Sequence, residues 1–335
     1  MKTALAALAL ACPLVLAGAC HAHAAQGNDG ARPAPLVAPA AHVPHALRAT
    51  MLASTRAGTR IVAVGDHGIV LLSDDGGKTH RQARHVPVDV PLTSVAFVDE
   101  RRGWAVGHWG VVLQTDDGGE TWRLQRIDTA VDRPLFAVHF FDAKQGVAVG
   151  LWSLVLVTDD GGLHWSAVEL QAPEGARRAD LNLLGLFSDA RGRLFAPAEK
   201  GMVLRSDDRG RHWRYLSTGY TGSFWTGVAP SDGALLVAGL RGSMYRSTDD
   251  GQTWQRIDTH SKSSVTALAA AGRVVVGVGL DGLVLRSEDA GASFTSQTRG
   301  DRLPLTAVTL DDKDRTVLYS RQGVVSGRAA DDAGK

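Results

Sequence analysis

The chain has 335 residues, with 36 Lys and Arg against 35 Asp and Glu, so its formal net charge at pH 7 is +1. This balance argues against a nucleic-acid-binding protein, which normally carries a clear basic excess. Hydrophobic residues make up 44% of the sequence, a usual share for a soluble globular protein, and the length is ample for one large core or one closed ring of repeats.

The N-terminal segment 1–25 has the pattern of a secretory signal peptide. Lys2 precedes an Ala/Leu-rich run, and Ala22-His23-Ala24 offers a small-x-small cleavage site. The run is too short, and too interrupted by proline and glycine, for a membrane span. We therefore expect a periplasmic or otherwise exported protein that is peripheral to the membrane and does not span it.

Both cysteines, Cys12 and Cys20, lie inside this leader. Cleavage after Ala24 leaves a mature chain without cysteine, and hence without disulfides or thiol chemistry. Residues 16–20 resemble a bacterial lipoprotein box with one residue too many, so lipidation at Cys20 is the alternative.

Residues 26–46 are rich in Ala and Pro, and their four prolines exclude a helix or a central strand. This composition predicts a linker. Part of it, around Leu36 to Ala38, is predicted to return as an edge strand of the folded domain. The domain itself is predicted to span 47–329, followed by a disordered tail at 330–335.

An eight-residue phrase of the form S-x-D-x-G-x-T-W recurs six times. The copies are Ser73 to His80, Thr115 to Trp122, Thr158 to Trp165, Ser206 to Trp213, Ser247 to Trp254 and Ser287 to Phe294. Their spacing of 40 to 48 residues is the period of a propeller blade with four short strands. Asp and Ser/Thr side chains stabilise tight turns by bonding nearby backbone. The third-position aspartates are therefore predicted to be structural: Asp75, Asp117, Asp160, Asp208, Asp249 and Asp289.

Four strand-like segments align in each period. The first is apolar, as in Leu92 to Val98 and Leu181 to Phe187, the second is short and Val/Ala-rich, the third leads into the phrase, and the fourth follows the Trp. A seventh repeat without the phrase lies at 305–327. An open sheet edge invites association, so the ring is expected to close. We predict an all-β, seven-bladed β-propeller closed by N- and C-terminal strands, with six blades as the alternative because six phrases exist.

The turn between the second and third strands must lie on the opposite face from the phrase. It usually reads G-x-x-G with a variable middle pair, which is typical of a scaffold that carries a variable surface. Trp109 and Trp152 share one position in neighbouring turns and are predicted to form an exposed aromatic patch, because aromatics and Arg are enriched in interface hot spots. The other candidate partner-binding residues on this face are His67, His108, Lys200, Arg241 and Asp281, with Arg177 and Arg178 of the long loop 172–180.

Three arginines, Arg205, Arg246 and Arg286, precede the phrase in consecutive repeats. They are more simply interpreted as partners of the local acids than as a basic binding stripe. For His67, His108 and Asp281, a solvated hairpin is likewise the simpler interpretation.

Catalytic signals are missing from the sequence. It contains no phosphate loop, G-x-S-x-G, H-E-x-x-H or Cys/His zinc pattern, so no catalytic residue, metal or cofactor is expected. Secreted sialidases share the Asp phrase, but their F-R-I-P-like segment is not found here. A glycan-binding or sialidase-like glycoside-hydrolase propeller stays open as the alternative function, because paired aromatics stack on sugars.

The pattern V-G-x-x-G-x-V-L-x-S-D-D-G-G-x-T-W is carried by Val64 to His80, Val106 to Trp122 and Val278 to Phe294. It resembles the BNR/Asp-box proteins of the photosystem II assembly and stability factor family, over roughly residues 47–328. The resemblance implies an exported seven-bladed propeller that binds membrane-protein subunits and helps them mature without catalysis. The Ala/Arg-rich composition and short signal are typical of a non-photosynthetic bacterial relative. We expect a monomeric scaffold whose turn face binds a membrane-protein complex.

Overall fold

The computed structural model describes residues 38–325, which form seven antiparallel sheets, each a meander in chain order. Blades 1 to 4 have the strands Met51–Ala57, Arg60–Gly65, Val70–Ser73, Arg81–Gln82; Leu92–Phe97, Gly103–Gly107, Val112–Thr115, Arg123–Arg126; Leu135–Phe140, Gly146–Gly150, Val155–Thr158, Ser166–Ala167; Phe187–Ser188, Leu194–Pro197, Met202–Ser206, Arg214–Ser217. Blades 5 to 7 have the strands Phe224–Val228, Leu235–Gly239, Met244–Ser247, Gln255–Ile257; Val265–Ala271, Val274–Gly279, Leu283–Ser287, Thr295–Thr298; Leu305–Leu310, Thr316–Ser320, Gly323–Val324. The predicted leader 1–25, Cys20 and the tail 330–335 lie outside the described residues.

The second strand of each blade explains the Val/Ala/Gly-rich runs of the sequence. Gly103–Gly107 and Gly146–Gly150, for example, are buried along their whole length. Such a strand is covered by neighbouring blades on both faces, so it reads as a continuous apolar run and not as an alternation. Fourth strands such as Ser166–Ala167 lie at the rim and are exposed.

The apolar core of residues 38–325 divides into seven clusters, one at each junction between neighbouring blades. The cluster between blades 7 and 1 contains Met51, Ile61 and Tyr319. A ring of seven sheets with seven junctions is the predicted seven-bladed propeller, and the six-bladed alternative is excluded.

Ring closure differs in detail from the prediction. The described part of blade 7 has three strands, and Ala38 belongs to none of the strands, while Leu36 and Val37 lie outside the described residues. The Ala40 N–H donates to the Val86 carbonyl at 2.9 Å, beyond blade 1 and away from blade 7. The edge of blade 7 is instead covered by the 3₁₀ turn Ala46–Arg48, which packs beside its third strand.

Polar contacts join blade 7 to blade 1 as well. The Thr306 hydroxyl donates to the Met51 carbonyl at 2.5 Å, and His80 Nε2 lies 2.9 Å from the Tyr319 hydroxyl. His80 stands where most repeats have Trp, so this repeat exchanges an indole for a hydrogen bond across the closing junction.

Blade 4 has a shorter first strand than predicted. Of the expected strand Leu181 to Phe187, only Phe187–Ser188 and an isolated bridge at Leu183 are formed. Pro197 of the neighbouring strand accepts a hydrogen bond from the Leu184 N–H at 2.8 Å, but proline has no N–H to return. The ladder therefore breaks at this point.

Within residues 38–325, the chain contains no helix with the length and apolar character needed to cross a membrane.

Candidate partner-binding face

The Asp phrase forms a closed hydrogen-bonded turn between the third and fourth strands. In blade 1, Asp75 accepts the Thr79 N–H at 2.9 Å on Oδ1 and the Thr79 hydroxyl at 2.6 Å on Oδ2. The Ser73 hydroxyl donates to Asp75 and accepts the Gly77 N–H at 2.9 Å. The copies around Asp117, Asp249 and Asp289 repeat this arrangement, and in those around Asp160 and Asp208 a histidine ring takes the place of the Thr79 hydroxyl. Each carboxylate thus accepts hydrogen bonds from its own turn.

These hydrogen bonds favour the charged carboxylates. The backbone N–H and ring of His164 hold the pKa of Asp160 down to about 2. The hydroxyl and N–H of Thr253 hold the pKa of Asp249 at about 2 as well. The carboxylates of the phrase therefore stay ionised, and stay bonded, far below neutral pH.

The phrase also joins neighbouring blades. Arg60 of blade 1 donates to the Gly118 carbonyl of blade 2 at 3.2 Å, and Arg205 of blade 4 donates to the Asp250 carbonyl of blade 5 at 3.0 Å. The three arginines considered as a stripe are each paired with a nearby acid: Arg205 with Asp207, Arg246 with Asp232 and Arg286 with Glu288. This face, called the Asp-box face below, carries polar contacts that connect neighbouring blades.

The opposite face, called the turn face, carries the turns between second and third strands. The third residue of six of these turns has a φ between 52° and 57°, in the left-handed region: His67, Trp109, Trp152, Lys200, Arg241 and Asp281. A residue other than glycine in this conformation costs on the order of 1–3 kcal/mol, and it persists only where its surroundings fix it. The backbone at this position is therefore held in place by neighbouring contacts.

Trp109 and Trp152 are held by two adjacent residues of the connector 127–134, which runs from blade 2 to blade 3. Asp132 Oδ1 accepts the Trp109 N–H at 2.8 Å. Arg133 Nη2 donates to the Trp152 carbonyl at 2.8 Å, and its Nε donates to the Leu151 carbonyl at 3.2 Å. The connector therefore sets the spacing of the two turns.

The two tryptophans and Val131 form what we call the apolar anchor. The Trp152 side chain is 54% exposed and Val131 is 50% exposed. Trp109 is partly buried against the cluster between blades 1 and 2. Among the aromatic pairs of the described residues, none joins Trp109 to Trp152, so the two indoles do not stack.

A second contact links Trp152 to blade 4. The Trp152 N–H donates to Asn182 Oδ1 at 3.0 Å. Asn182 in turn donates its backbone N–H and its side-chain amide to the two Glu199 oxygens, at 2.9 and 3.1 Å. Glu199 precedes the exposed Lys200, so the structure connects the turns of blades 2, 3 and 4.

The other candidate residues lie around the same face. His108 Nδ1 is 3.2 Å from Asp132, beside Trp109, and His67 Nδ1 is 3.0 Å from Asp89 in blade 1. Asp281 accepts the Ser263 hydroxyl at 2.8 Å, and Arg178 donates to Asp180 at 3.3 Å. The exposed side chains of Arg177, Lys200 and Arg241 form no ion pair with the acids of residues 38–325.

Sequence reasoning missed Val131 of the anchor and the three residues that hold the two tryptophans: Asp132, Arg133 and Asn182. One signal was available. The connectors before blades 2 and 3 both read V-D-x-P-L, at residues 88–92 and 131–135, and both aspartates face a histidine of the preceding turn. Asn182 has no such repeated counterpart.

The carboxylates nearest the anchor are hydrogen-bonded within the fold. Asp132 is occupied by Trp109 and His108, and Glu199 by Asn182. Two cavities lie on the Asp-box face, and Glu100 and Arg101 line both. The larger, of about 540 Å³, is lined by residues of blade 2, and the smaller, of about 360 Å³, lies between blades 1 and 2. In the part of the chain that the structure describes, no group of three or more His, Cys, Asp or Glu side chains could hold a metal ion.

Residues 81–273, more than half of the chain, match the family model described as photosynthesis system II assembly factor YCF48. None of the curated proteins is similar enough to match. Solved structures share the fold, and two of them are YCF48 propellers. YCF48 bound to D1 peptide aligns with a TM-score of 0.68 and 19% identity, covering 85% of this chain and 94% of that chain. YCF48 from Cyanidioschyzon merolae aligns with a TM-score of 0.66 and 16% identity, covering 84% and 95%.

Proposed function

Because this chain belongs to the YCF48 family of photosystem II assembly factors, we propose that it is a non-enzymatic scaffold that holds a segment of a membrane-protein subunit during assembly. A solved YCF48 propeller is bound to D1 peptide, which supports binding of a peptide segment by this fold. The glycan-binding alternative is not favoured by these relatives.

The observation that carries the proposal is the apolar anchor on the turn face. Trp152 is the most exposed aromatic side chain of residues 38–325, at 54%. Exposed tryptophans on a fixed backbone contribute large contact area at small entropic cost, and they dominate many interfaces. An apolar side chain of the bound segment would lie against Trp109, Val131 and Trp152, with Lys200 one blade further on.

The test is capture of the partner. Tagged mature chain is incubated with detergent-solubilised membranes of its own host, and captured proteins are identified by mass spectrometry. We expect one dominant membrane-protein complex, lost in the double variant W109A/W152A. L163S is the matched control, because Leu163 is also an exposed apolar side chain, 70% exposed, but lies on the Asp-box face.

Two results would contradict the proposal. Capture of no membrane protein by the wild-type chain would remove the scaffold function, and a carbohydrate array would then test the glycan alternative. Capture that persists in W109A/W152A but is lost in L163S would place the partner on the wrong face.

We further propose that the leader 1–25 exports the chain and that the mature protein works as a monomer at the membrane surface. The leader pattern supports export. Cell fractionation should find the wild-type chain in the exported fraction and a variant lacking residues 2–25 in the cytoplasm. Cytoplasmic wild-type protein would contradict export, and a dimer mass in light scattering would contradict the monomer.

A further inference from the structure

We infer that Asn182 and Arg133 are positioning residues that fix Trp152 in its binding conformation and thereby control how long the bound segment stays in place. The geometric part of this inference stands on the structure alone. The part about the bound segment rests on the proposed function.

The backbone of Trp152 is in the left-handed region, and neighbouring side chains hydrogen-bond both its N–H and its carbonyl. Asn182 accepts its N–H at 3.0 Å, and Arg133 donates to its carbonyl at 2.8 Å. The next residue, Ser153, is also left-handed, and its N–H and hydroxyl both donate to the Leu181 carbonyl, at 2.7 and 3.1 Å. Serine stands here where most of these turns have glycine. The turn is thus fixed at three consecutive positions although its third side chain is exposed.

Glu199 decides which way the Asn182 amide points. An asparagine side chain carries both a donor and an acceptor, and only the acceptor can receive the Trp152 N–H. Since Glu199 Oε1 accepts from Asn182 Nδ2 at 3.1 Å, the Asn182 oxygen is left facing Trp152. A residue of the blade 4 turn therefore sets the conformation of the blade 3 turn.

The turn of blade 5 has a similar arrangement with fewer hydrogen bonds to its third residue. Its third residue, Arg241, donates its N–H to the Ser264 hydroxyl at 3.1 Å. A hydroxyl rotates freely between donating and accepting, and within residues 38–325 no side chain donates to the Arg241 carbonyl. Ser264 therefore offers a matched control.

Fixing a contact residue before binding reduces the entropy lost on association. Changes of this kind within one interface act mostly on dissociation, because association is limited by diffusion and orientation. Loss of the grip on Trp152 should accordingly speed dissociation of the partner and leave association almost unchanged.

The experiment compares N182A, the double variant N182D/E199Q and the control S264A. In the double variant, the carboxylate introduced at position 182 still accepts the Trp152 N–H. The amide introduced at position 199 can donate to that carboxylate and accept from the backbone N–H of position 182. The first readout is amide hydrogen exchange of segment 151–154 in the free protein. The second is the association and dissociation rate of the membrane-protein complex captured by the wild-type chain, measured by surface plasmon resonance in detergent.

For N182A we expect about tenfold faster exchange in 151–154 and about tenfold faster dissociation, with association changed by less than about twofold. N182D/E199Q should restore both quantities, and S264A should alter neither. If N182A fails to fold, R133A replaces it, because alanine has no side-chain donor for the Leu151 and Trp152 carbonyls.

Unchanged exchange of segment 151–154 in N182A would show that Asn182 does not fix the Trp152 turn. Faster exchange with unchanged dissociation would overturn its role in binding, and so would a double variant that restores exchange without restoring dissociation. Failure of the wild-type chain to capture any membrane protein would instead refute the proposed function, and the exchange data would still test the grip.

Discussion

The two faces of the ring use the same residue types in opposite ways. On the Asp-box face, Arg193 is paired with Asp189 and Asp250, and Trp122 is 1% exposed with its indole N–H donated to the Gly119 carbonyl at 2.9 Å. On the turn face, Trp152 is 54% exposed and the Arg241 side chain forms no ion pair with the described residues. The first face joins the blades, and the second leaves side chains available to a partner.

Acidification should have the largest effect on the Asp-box face, because it protonates the aspartates of all six Asp phrases, called Asp boxes, at once. The pKa values of Asp160 and Asp249 are lowered to about 2 in the folded chain. Their contribution to stability is therefore present above the ordinary carboxyl pKa and is lost as pH falls through about 4 to about 2. Thermal unfolding should show a steep fall in Tm across this window. A Tm that stays level down to pH 2 would contradict the structural role of the boxes.

Replacing one tryptophan on each face gives the largest contrast among single substitutions. W122A removes a buried indole between blades 1 and 2 and should lower the free energy of unfolding by about 3–5 kcal/mol. W152A should change it by no more than about 0.5 kcal/mol, because the side chain is exposed. Denaturant titration followed by circular dichroism measures both. Similar losses of unfolding free energy in the two variants would contradict the distinction between the tryptophan that joins two blades and the one on the surface.

Two neighbouring aspartates, Asp117 and Asp116, test whether the third position of the Asp phrase contributes most to its stability. Asp117 accepts hydrogen bonds from the Thr115 hydroxyl and from the N–H and hydroxyl of Thr121, so D117A should lower the free energy of unfolding by about 2–3 kcal/mol. Asp116 forms a surface ion pair with Arg123 and accepts a hydrogen bond from Gln114 Nε2 at 2.7 Å, and D116A should cost about 1 kcal/mol. The same denaturant titration ranks the pair. Equal effects would mean that the third position of the phrase is not special.

Arginine substitutions give the smallest expected difference. Arg205 is nearly buried and bonds both Asp207 and the Asp250 carbonyl, so R205A should lower the free energy of unfolding by about 1–2 kcal/mol. R241A should leave it within about 0.5 kcal/mol. Thermal melts at matched concentration resolve this difference. A larger loss of stability in R241A than in R205A would show that the turn-face arginine also stabilises the contact between blades.

The sequence predicts the ring because its determinants are local and repeated. Each box is closed by bonds between residues two to four apart, such as those of Ser73 and Thr79 to Asp75, and these bonds leave a visible phrase. The glycines of the turns are equally local, since they occupy left-handed positions next to the exposed residue. The number of blades follows from counting such units.

Other features depend on contacts between distant residues and leave no such trace. Closure of blade 7 by the turn Ala46–Arg48 involves residues far apart in the chain. The broken first strand of blade 4 had a readable cause in Pro197, which removes one ladder donor. The contacts that hold Trp152 join it to Arg133 and Asn182, which lie 19 and 30 positions away in the chain.

The most direct test of the central claim is amide hydrogen exchange of the full mature chain, with and without the membrane-protein complex that it captures. The account predicts slower exchange on binding in the turns His108–Gly110 and Leu151–Ser153 and in the connector 127–134, with the Asp boxes unchanged. Protection confined to boxes such as Ser73 to His80 would contradict it, because the partner would then lie on the face that joins the blades.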